Sequence, residues 1–339
     1  MADVVTLTVA EVIVETADAR SIVFAIPEEH QAAFAYAPGQ FLTLRIPSDR
    51  AGSVARCYSL SSAPHEGRVQ VTVKRTGFGS GWVCEELCEG AEIEVLPPAE
   101  VFVPASLDGD FLLFAAGSGI TPLMSILKSA LRHGTGQVVL VYANRDEASV
   151  IFARQLAELT SRHPDRLTVL HWLESLQGLP SARTLETLAA PYRRHDAYLC
   201  GPEPFMAAAR TALTELGVPR ERVHVEKFHS LTGNPFDRTR EPESPEAGET
   251  ARLTVDLDGE TRTTAWPRQR KLLDHLLAEG LDAPYSCRAG QCNACACRLV
   301  SGEVKMLDNE VLDTEDLADG IVLACQSLPV TDEVSVSYE

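Results

Sequence analysis

Three cysteines, Cys287, Cys292 and Cys295, stand in C-x4-C-x2-C spacing within the stretch CRAGQCNACAC, and Cys325 follows near the C-terminus. No other feature restricts the fold so narrowly. The spacing is that of a [2Fe-2S] site, in which one loop wraps the cluster and a distant fourth thiolate closes it. Each tetrahedral iron takes two thiolates besides the bridging sulfides, so three ligands must converge from one tight loop. Gly290 and the small residues Ala289 and Ala294 let that loop fold closely, with its N–H groups turned toward the sulfurs. Cys297 is a fifth, surplus cysteine. Zinc is the competing metal, but tetrahedral zinc sites usually pair short-spaced cysteines or histidines, and no second CxxC or HxxxH lies nearby.

Five of the nine cysteines fall in the last 53 residues, four of them in one loop, which is not how a disulfide framework is spread. Thiolate-ligated clusters persist in a reduced compartment, and the N-terminus shows no basic region followed by an apolar core, so a cytoplasmic location is expected. No apolar run approaches the length of a membrane span. A length of 339 residues points to two or three domains. The formal charge of -18 argues against nucleic acid or an anionic membrane as partner, since phosphate binding needs a basic face. From residue 303 to the end there are ten acidic residues and one lysine, Lys305. That stretch reads either as a solvated face or as a docking surface for a partner approaching the cluster.

Along the first hundred residues, short β-branched runs such as those at 7–9, 21–24, 41–44 and 69–73 are separated by turn residues, which predicts a small antiparallel barrel. Within it the segment RCYSL puts Arg56 and Tyr58 on one face of a strand, with Ser59 and Leu60 following. A guanidinium beside a flat ring suits a flavin carrying phosphates, although a half-buried strand would show the same pattern. Gly79-Ser80-Gly81-Trp82 is expected to precede a helix with Val83, Leu87 and Cys88 on one face, its N–H groups forming an anion cradle next to Lys74 and Arg75.

From residue 110 the pattern changes. The apolar run FLLFAA, the turn GSGITP and a helix over 123–131 form a phosphate-binding βα unit. Strands at 137–142, 167–170 and 197–200 alternate with helical segments near 151–159 and 184–190, which predicts a parallel, doubly wound sheet. At its strand ends lie Gly117 to Pro122, Asn144-Arg145-Asp146 and Cys200-Gly201-Pro202. Cys200 also reads as a core thiol, and Phe228, after a closing strand, reads as a core aromatic. Arg145 suits a 2′-phosphate and Asp146 a free 2′-hydroxyl, which leaves the nucleotide open between NADPH and NADH. Residues 231–250 read as a solvated linker, followed by a hairpin with Asp258-Gly259 at its turn and a short helix over 271–279.

With RCYSL, GSGITP, CGP and CRAGQCNAC in one chain, the sequence resembles the ferredoxin reductase superfamily in its three-part form with a C-terminal plant-type ferredoxin. The resemblance implies an FAD-binding barrel (1–106), an NAD-binding α/β domain (107–230), the linker (231–250) and an α+β β-grasp ferredoxin domain (251–339). It implies Cys287, Cys292, Cys295 and Cys325 as metal ligands: 29 residues separate Cys295 from Cys325, as in plant-type ferredoxins, which leaves Cys297 a buried non-ligand. Arg56, Tyr58, Ser59 and Leu60 would hold FAD, with Ser59 near the reactive flavin nitrogen, and Lys74, Gly79 and Ser80 would serve its phosphates. Gly119, Ile120 and Thr121 would line the nicotinamide path, Cys200 and Gly201 would flank the hydride-transferring carbon, Arg145 would meet the nucleotide, and Phe228 would cover the isoalloxazine. Asn293 departs from the small residue common at that position and bears on the loop geometry. The narrower resemblance is to reductases that carry electrons from NADH to a Rieske-type terminal oxygenase hydroxylating steroids; the chain itself is expected to be a monomer. A reductase feeding a phenylacetyl-CoA-type epoxidase and a ferredoxin-type carrier with a vestigial flavin site are the alternatives. Hydride transfer itself calls for no general acid from the chain.

Overall fold

The structure is a computed structural model that describes residues 4–338 apart from 50, 100, 101, 229, 230, 232, 237–248 and 258. Most of the expected linker, and Asp258 of the expected hairpin turn, lie outside the described residues.

The first sheet is antiparallel, in the order Gly52–Ser59, Phe41–Ser48, Glu92–Ala99, Val5–Thr16, Ala19–Ala25, Val69–Lys74. Its two edges meet through a bridge between Leu60 and Val71 and a 2.8 Å hydrogen bond from Ser61 N to Gln70 O, so the sheet closes into a barrel. Alternation decides the inside: Val5, Leu7 and Val9 are buried while Thr6 and Thr8 face out. The Gly79-Ser80-Gly81-Trp82 stretch does not precede its helix but lies in the first turns of it, Phe78–Glu86, and Cys88, past the helix end, is exposed rather than packed.

The second sheet is wholly parallel, ordered Val223–Glu226, Asp196–Cys200, Phe111–Ala116, Val138–Asn144, Leu167–Leu173. FLLFAA is apolar throughout because both its faces are covered. Phe111, Leu113 and Ala115 pack under the helices Ile120–His133 and Ala153–Arg162. Leu112, Phe114 and Ala116 pack against Ala182–Ala189 and Glu203–Glu215. The last of these helices, which begins beside two prolines, is absent from the sequence expectation. Chain order runs outward in both directions from Phe111–Ala116, and such a reversal opens a crevice at the carboxyl ends of the strands. The turns at Gly117 and Gly201 lie there.

The third sheet has the order Glu260–Pro267, Thr250–Leu257, Glu333–Ser337, Ala296–Ser301, Ile321–Leu323, with the C-terminal strand parallel to Thr250–Leu257. Across it lies the helix Leu272–Ala278, whose Leu272, Leu273 and Leu276 are fully buried beside Trp266. Each of these leucines contributes about 2 kcal/mol by leaving water. This packing holds the loop that follows the helix.

Candidate functional site

The cysteine loop turns sharply at two residues with positive φ, Arg288 (54°) and Gly290 (74°). A side chain on Gly290 would meet the Asp308 carbonyl at 3.0 Å. The Arg288 guanidinium lies over the Tyr285 ring, 4.6 Å from the centroid. The turn aims backbone donors at sulfur: Ala289 N and Gln291 N at Cys287 Sγ and Cys287 N at Cys292 Sγ, all at 3.4 Å, and Cys325 N at Cys295 Sγ at 3.5 Å. Hydrogen bonds with Cys292 and Cys325 first, then those N–H groups, hold the Cys287 thiol far below its usual range, against burial. Among the described residues no three groups are gathered round one point as a single-ion site requires. A two-iron cluster takes its thiolates in pairs, and the donor set of four buried, N–H-bonded cysteines fits one. Cys297 sits in the strand Ala296–Ser301, paired with Val322 and buried with Tyr338 beside it.

On the barrel, Arg56 and Tyr58 lie on the strand Gly52–Ser59, and Leu60 makes the closing bridge. Gly79 is where the Arg56 side chain passes: a Cβ there would stand 2.9 Å from Arg56 Cγ. The buried phenol oxygen of Tyr58 has no hydrogen-bond partner among the described residues, and burial pushes its ionisation far up. A flat ligand with polar edges fits that phenol and the cradle under Gly79. Ser80 Oγ accepts from Thr76 N and Gly77 N, both at 2.9 Å, so its hydroxyl stabilises the turn itself. Lys74 Nζ reaches the parallel sheet's first turn, 3.8 Å from the position of a Cβ on Gly117.

On the parallel sheet, Gly119 packs on Cys200 and Gly201, and a Cβ on Gly119 would stand 2.1 Å from the Cys200 carbonyl oxygen. Thr121 is buried, its Oγ1 donating to Ser118 O at 3.1 Å. Burial, then the charge of Glu226 opposite it in the neighbouring strand, raises the Cys200 thiol well above its usual range. Asp146 caps the turn after it, Oδ1 accepting from Ser149 N at 2.9 Å.

The three parts meet at a cavity of about 580 Å³. Ser59 and Cys57 line it from the barrel, Tyr198, Glu226 and Phe228 from the parallel sheet, and Cys292 and Asn293 from the cysteine loop. Phe228 is 50% exposed, so it is not the core aromatic expected from burial statistics but a ring at the cavity. Glu226, a buried carboxylate, was not among the expected site residues; the acid ending the short strand Val223–Glu226 was the available signal. Around the cavity, Phe41, Ala55, Cys287, Cys292 and Ala294 form one apolar cluster, and Thr43 Oγ1 and Ser286 Oγ are 2.6 Å apart.

Part of the acidic C-terminal stretch is turned inward. Arg220 reaches Glu315 at 2.5 Å, Asp316 at 3.1 Å and Asp313 and Asp319 at 3.2 Å each. Burial pushes the Asp313 carboxyl up, but the N–H groups of Asp316 and Glu315 and the charges of Arg220 and Arg210 outweigh it and hold it low. A depressed carboxyl pKa means that this contact is complete above the ordinary carboxylate range and is lost as pH falls through the lowered value. Exposed pairs are weak singly and screened by salt. Replacing Arg220 by glutamate, which sets a fifth carboxylate against those four, should slow cluster reduction by about fivefold at low salt and invert its dependence on ionic strength, since salt then relieves a repulsion, which stopped-flow spectrophotometry across a salt series measures.

Comparison with known proteins follows the same division. Residues 6–99 match an oxidoreductase FAD-binding domain, 113–211 an oxidoreductase NAD-binding domain, and 255–330 a 2Fe-2S iron-sulfur cluster binding domain. The chain is an oxidoreductase that uses FAD, NADH and a [2Fe-2S] cluster. It is 56% identical to the ferredoxin reductase component of 3-ketosteroid-9-alpha-monooxygenase of Rhodococcus rhodochrous, over 98% of this chain and 97% of that protein. It is 36% identical to a subunit of the 1,2-phenylacetyl-CoA epoxidase of Escherichia coli, over 98% and 97%. The chain belongs to this family of oxygenase reductase components. Phthalate dioxygenase reductase shares the fold, with a TM-score of 0.57 at 24% identity over 98% of both chains. No helix among the described residues is long and apolar enough to cross a membrane.

Proposed function

We propose that the chain is the reductase that supplies a 3-ketosteroid 9α-monooxygenase, taking electrons from NADH and delivering them singly to a Rieske-type terminal oxygenase in steroid degradation. The observation that carries this reading is the cavity shared by Ser59, Glu226 and Cys292, which puts nucleotide, flavin and cluster sides of the chain on one space. FAD, when bound, accepts a hydride and releases its two electrons one at a time, which matches a two-electron donor to a one-electron cluster.

In this reading the divisions at residues 106, 230 and 250 separate barrel, parallel sheet, linker and ferredoxin domain. Arg56 and the turn at Gly79 bind the flavin phosphates, Tyr58 and Leu60 hold its ring, and Ser59 hydrogen-bonds its reactive edge. Gly119, with no side chain, lets the nicotinamide approach the carbonyl of Cys200, while Thr121, Cys200 and Gly201 set its position. Phe228 closes the ring site against water, Lys74 and Arg145 meet the nucleotide, and Cys287, Cys292, Cys295 and Cys325 ligate the cluster. The chain works as a monomer in the cytoplasm, where its nine cysteines, none in a disulfide, stay reduced. Reconstitution with the terminal oxygenase, NADH and a 3-ketosteroid tests the reading: hydroxylated product is expected, and product only with an epoxidase partner would refute it.

A further inference from the structure

The nucleotide side of the molecule carries a carboxylate that comes from neither the parallel sheet nor its turns. Asp18 lies in the turn between the barrel strands Val5–Thr16 and Ala19–Ala25. Thr16 Oγ1 donates to its Oδ1 at 2.8 Å and Arg75 N donates to its carbonyl at 2.8 Å, so side chain and backbone are both held. The other carboxylate oxygen, Oδ2, faces two cations from different domains, Arg145 at 3.2 Å and Lys74 at 3.9 Å. Lys74 in turn stands beside Gly117, the first residue of the GSG turn.

In doubly wound dinucleotide folds the glycine turn takes the pyrophosphate, and a residue some twenty or so positions on faces the ribose 2′ position: an acid there reads a free hydroxyl, an arginine takes a 2′-phosphate. Arg145 directly follows the strand Val138–Asn144, which pairs with the one that enters the turn, so by that rule alone it favours the phosphorylated nucleotide. Asp146 caps its own turn through Ser149 N. The anion that opposes Arg145 is Asp18, fixed between the two positive groups. A 2′-phosphate would add negative charge where a carboxylate already shares both cations, whereas the 2′-hydroxyl of NADH meets no such repulsion.

We propose that Asp18 is a specificity-determining residue, a negative charge lent by the barrel to the nucleotide groove that turns the chain toward NADH by disfavouring a 2′-phosphate. The inference rests on Lys74, Gly117 and Arg145 being nucleotide contacts. Its test is Asp18→Asn in the full-length holoprotein, which keeps the shape and removes the charge. The ratio of kcat/KM for NADPH to that for NADH, with ferricyanide as acceptor, should rise about tenfold, mostly through a lower KM for NADPH. Calorimetric titration of the oxidised protein with NADP+ and NAD+ should show the same shift in the ratio of dissociation constants, and adding Arg145→Ala should cancel it. An unchanged ratio in Asp18→Asn, while Arg145→Ala alone alters nucleotide binding, overturns the role of Asp18. If Arg145→Ala alters binding of neither nucleotide, the underlying placement of the nucleotide fails instead, and the proposal with it.

Discussion

Replacing Cys325 by alanine should abolish the cluster while leaving the flavin in place. Cys325 is buried on the short turn Ala324–Gln326, and its N–H points at Cys295 Sγ from 3.5 Å. The Gln326 amide donates to the Arg288 carbonyl at 2.9 Å and reaches Cys325 Sγ at 3.7 Å, so this turn is tied to the cysteine loop it closes. The barrel interior is built from other residues, Leu7, Ile22, Leu44 and Val71 among them, and does not depend on that turn. The variant should lose its iron and its cluster absorption, and electron delivery through the cluster should fall by at least about 100-fold, because losing groups that merely support a ligand already costs 10- to 100-fold. Reduction of ferricyanide by NADH should persist. The matching variant Cys297→Ala should keep its iron, since Cys297 lies in a strand and packs into the core. Iron analysis and visible spectra of the two proteins decide the ligand set.

Gly119→Ala should cut NADH-driven flavin reduction by about 100-fold, the penalty for a displacement on the order of 1 Å between reacting groups. The added carbon would stand 2.1 Å from the carbonyl oxygen of Cys200, 2.4 Å from its carbon and 2.7 Å from Gly201 N. All three are backbone atoms in or beside a central strand, so relief requires the helix Ile120–His133 to shift away from the sheet. Such overpacking also costs about 1–3 kcal/mol of stability. Flavin reduced photochemically, with no nucleotide present, should still pass electrons to the cluster at the normal rate. Comparing the two routes of reduction in rapid-mixing and flash experiments separates a nucleotide defect from general damage.

Much of the architecture was legible because its signals are local. FLLFAA reads as a buried strand of a parallel sheet, and the sheet covers it on both faces; the run at 7–9 reads as a barrel strand, and it is one; the cysteine spacing marks a tight loop, and the backbone turns there at Arg288 and Gly290. What was not legible depends on distance along the chain. The barrel carries Lys74 Nζ to Gly117, 43 residues later in sequence, a neighbour the spacing does not show. Phe228 matches a core aromatic by composition, and only the assembled cavity leaves it exposed. The acidic tail offered a choice between a solvated face and a docking surface, and Arg220, about a hundred residues upstream, engages four of its carboxylates within the chain. Asp18 opposes Arg145 across a separation of 127 residues, which no periodicity or spacing could reveal.

The central claim is that electrons pass inside this one polypeptide from nucleotide to flavin to cluster. Anaerobic titration of the purified holoprotein with NADH, followed by visible absorption and by electron paramagnetic resonance, tests it without any mediator. The account predicts bleaching of both flavin and cluster bands and the growth of a reduced [2Fe-2S] signal. A flavin that becomes fully reduced while the cluster stays oxidised would contradict it.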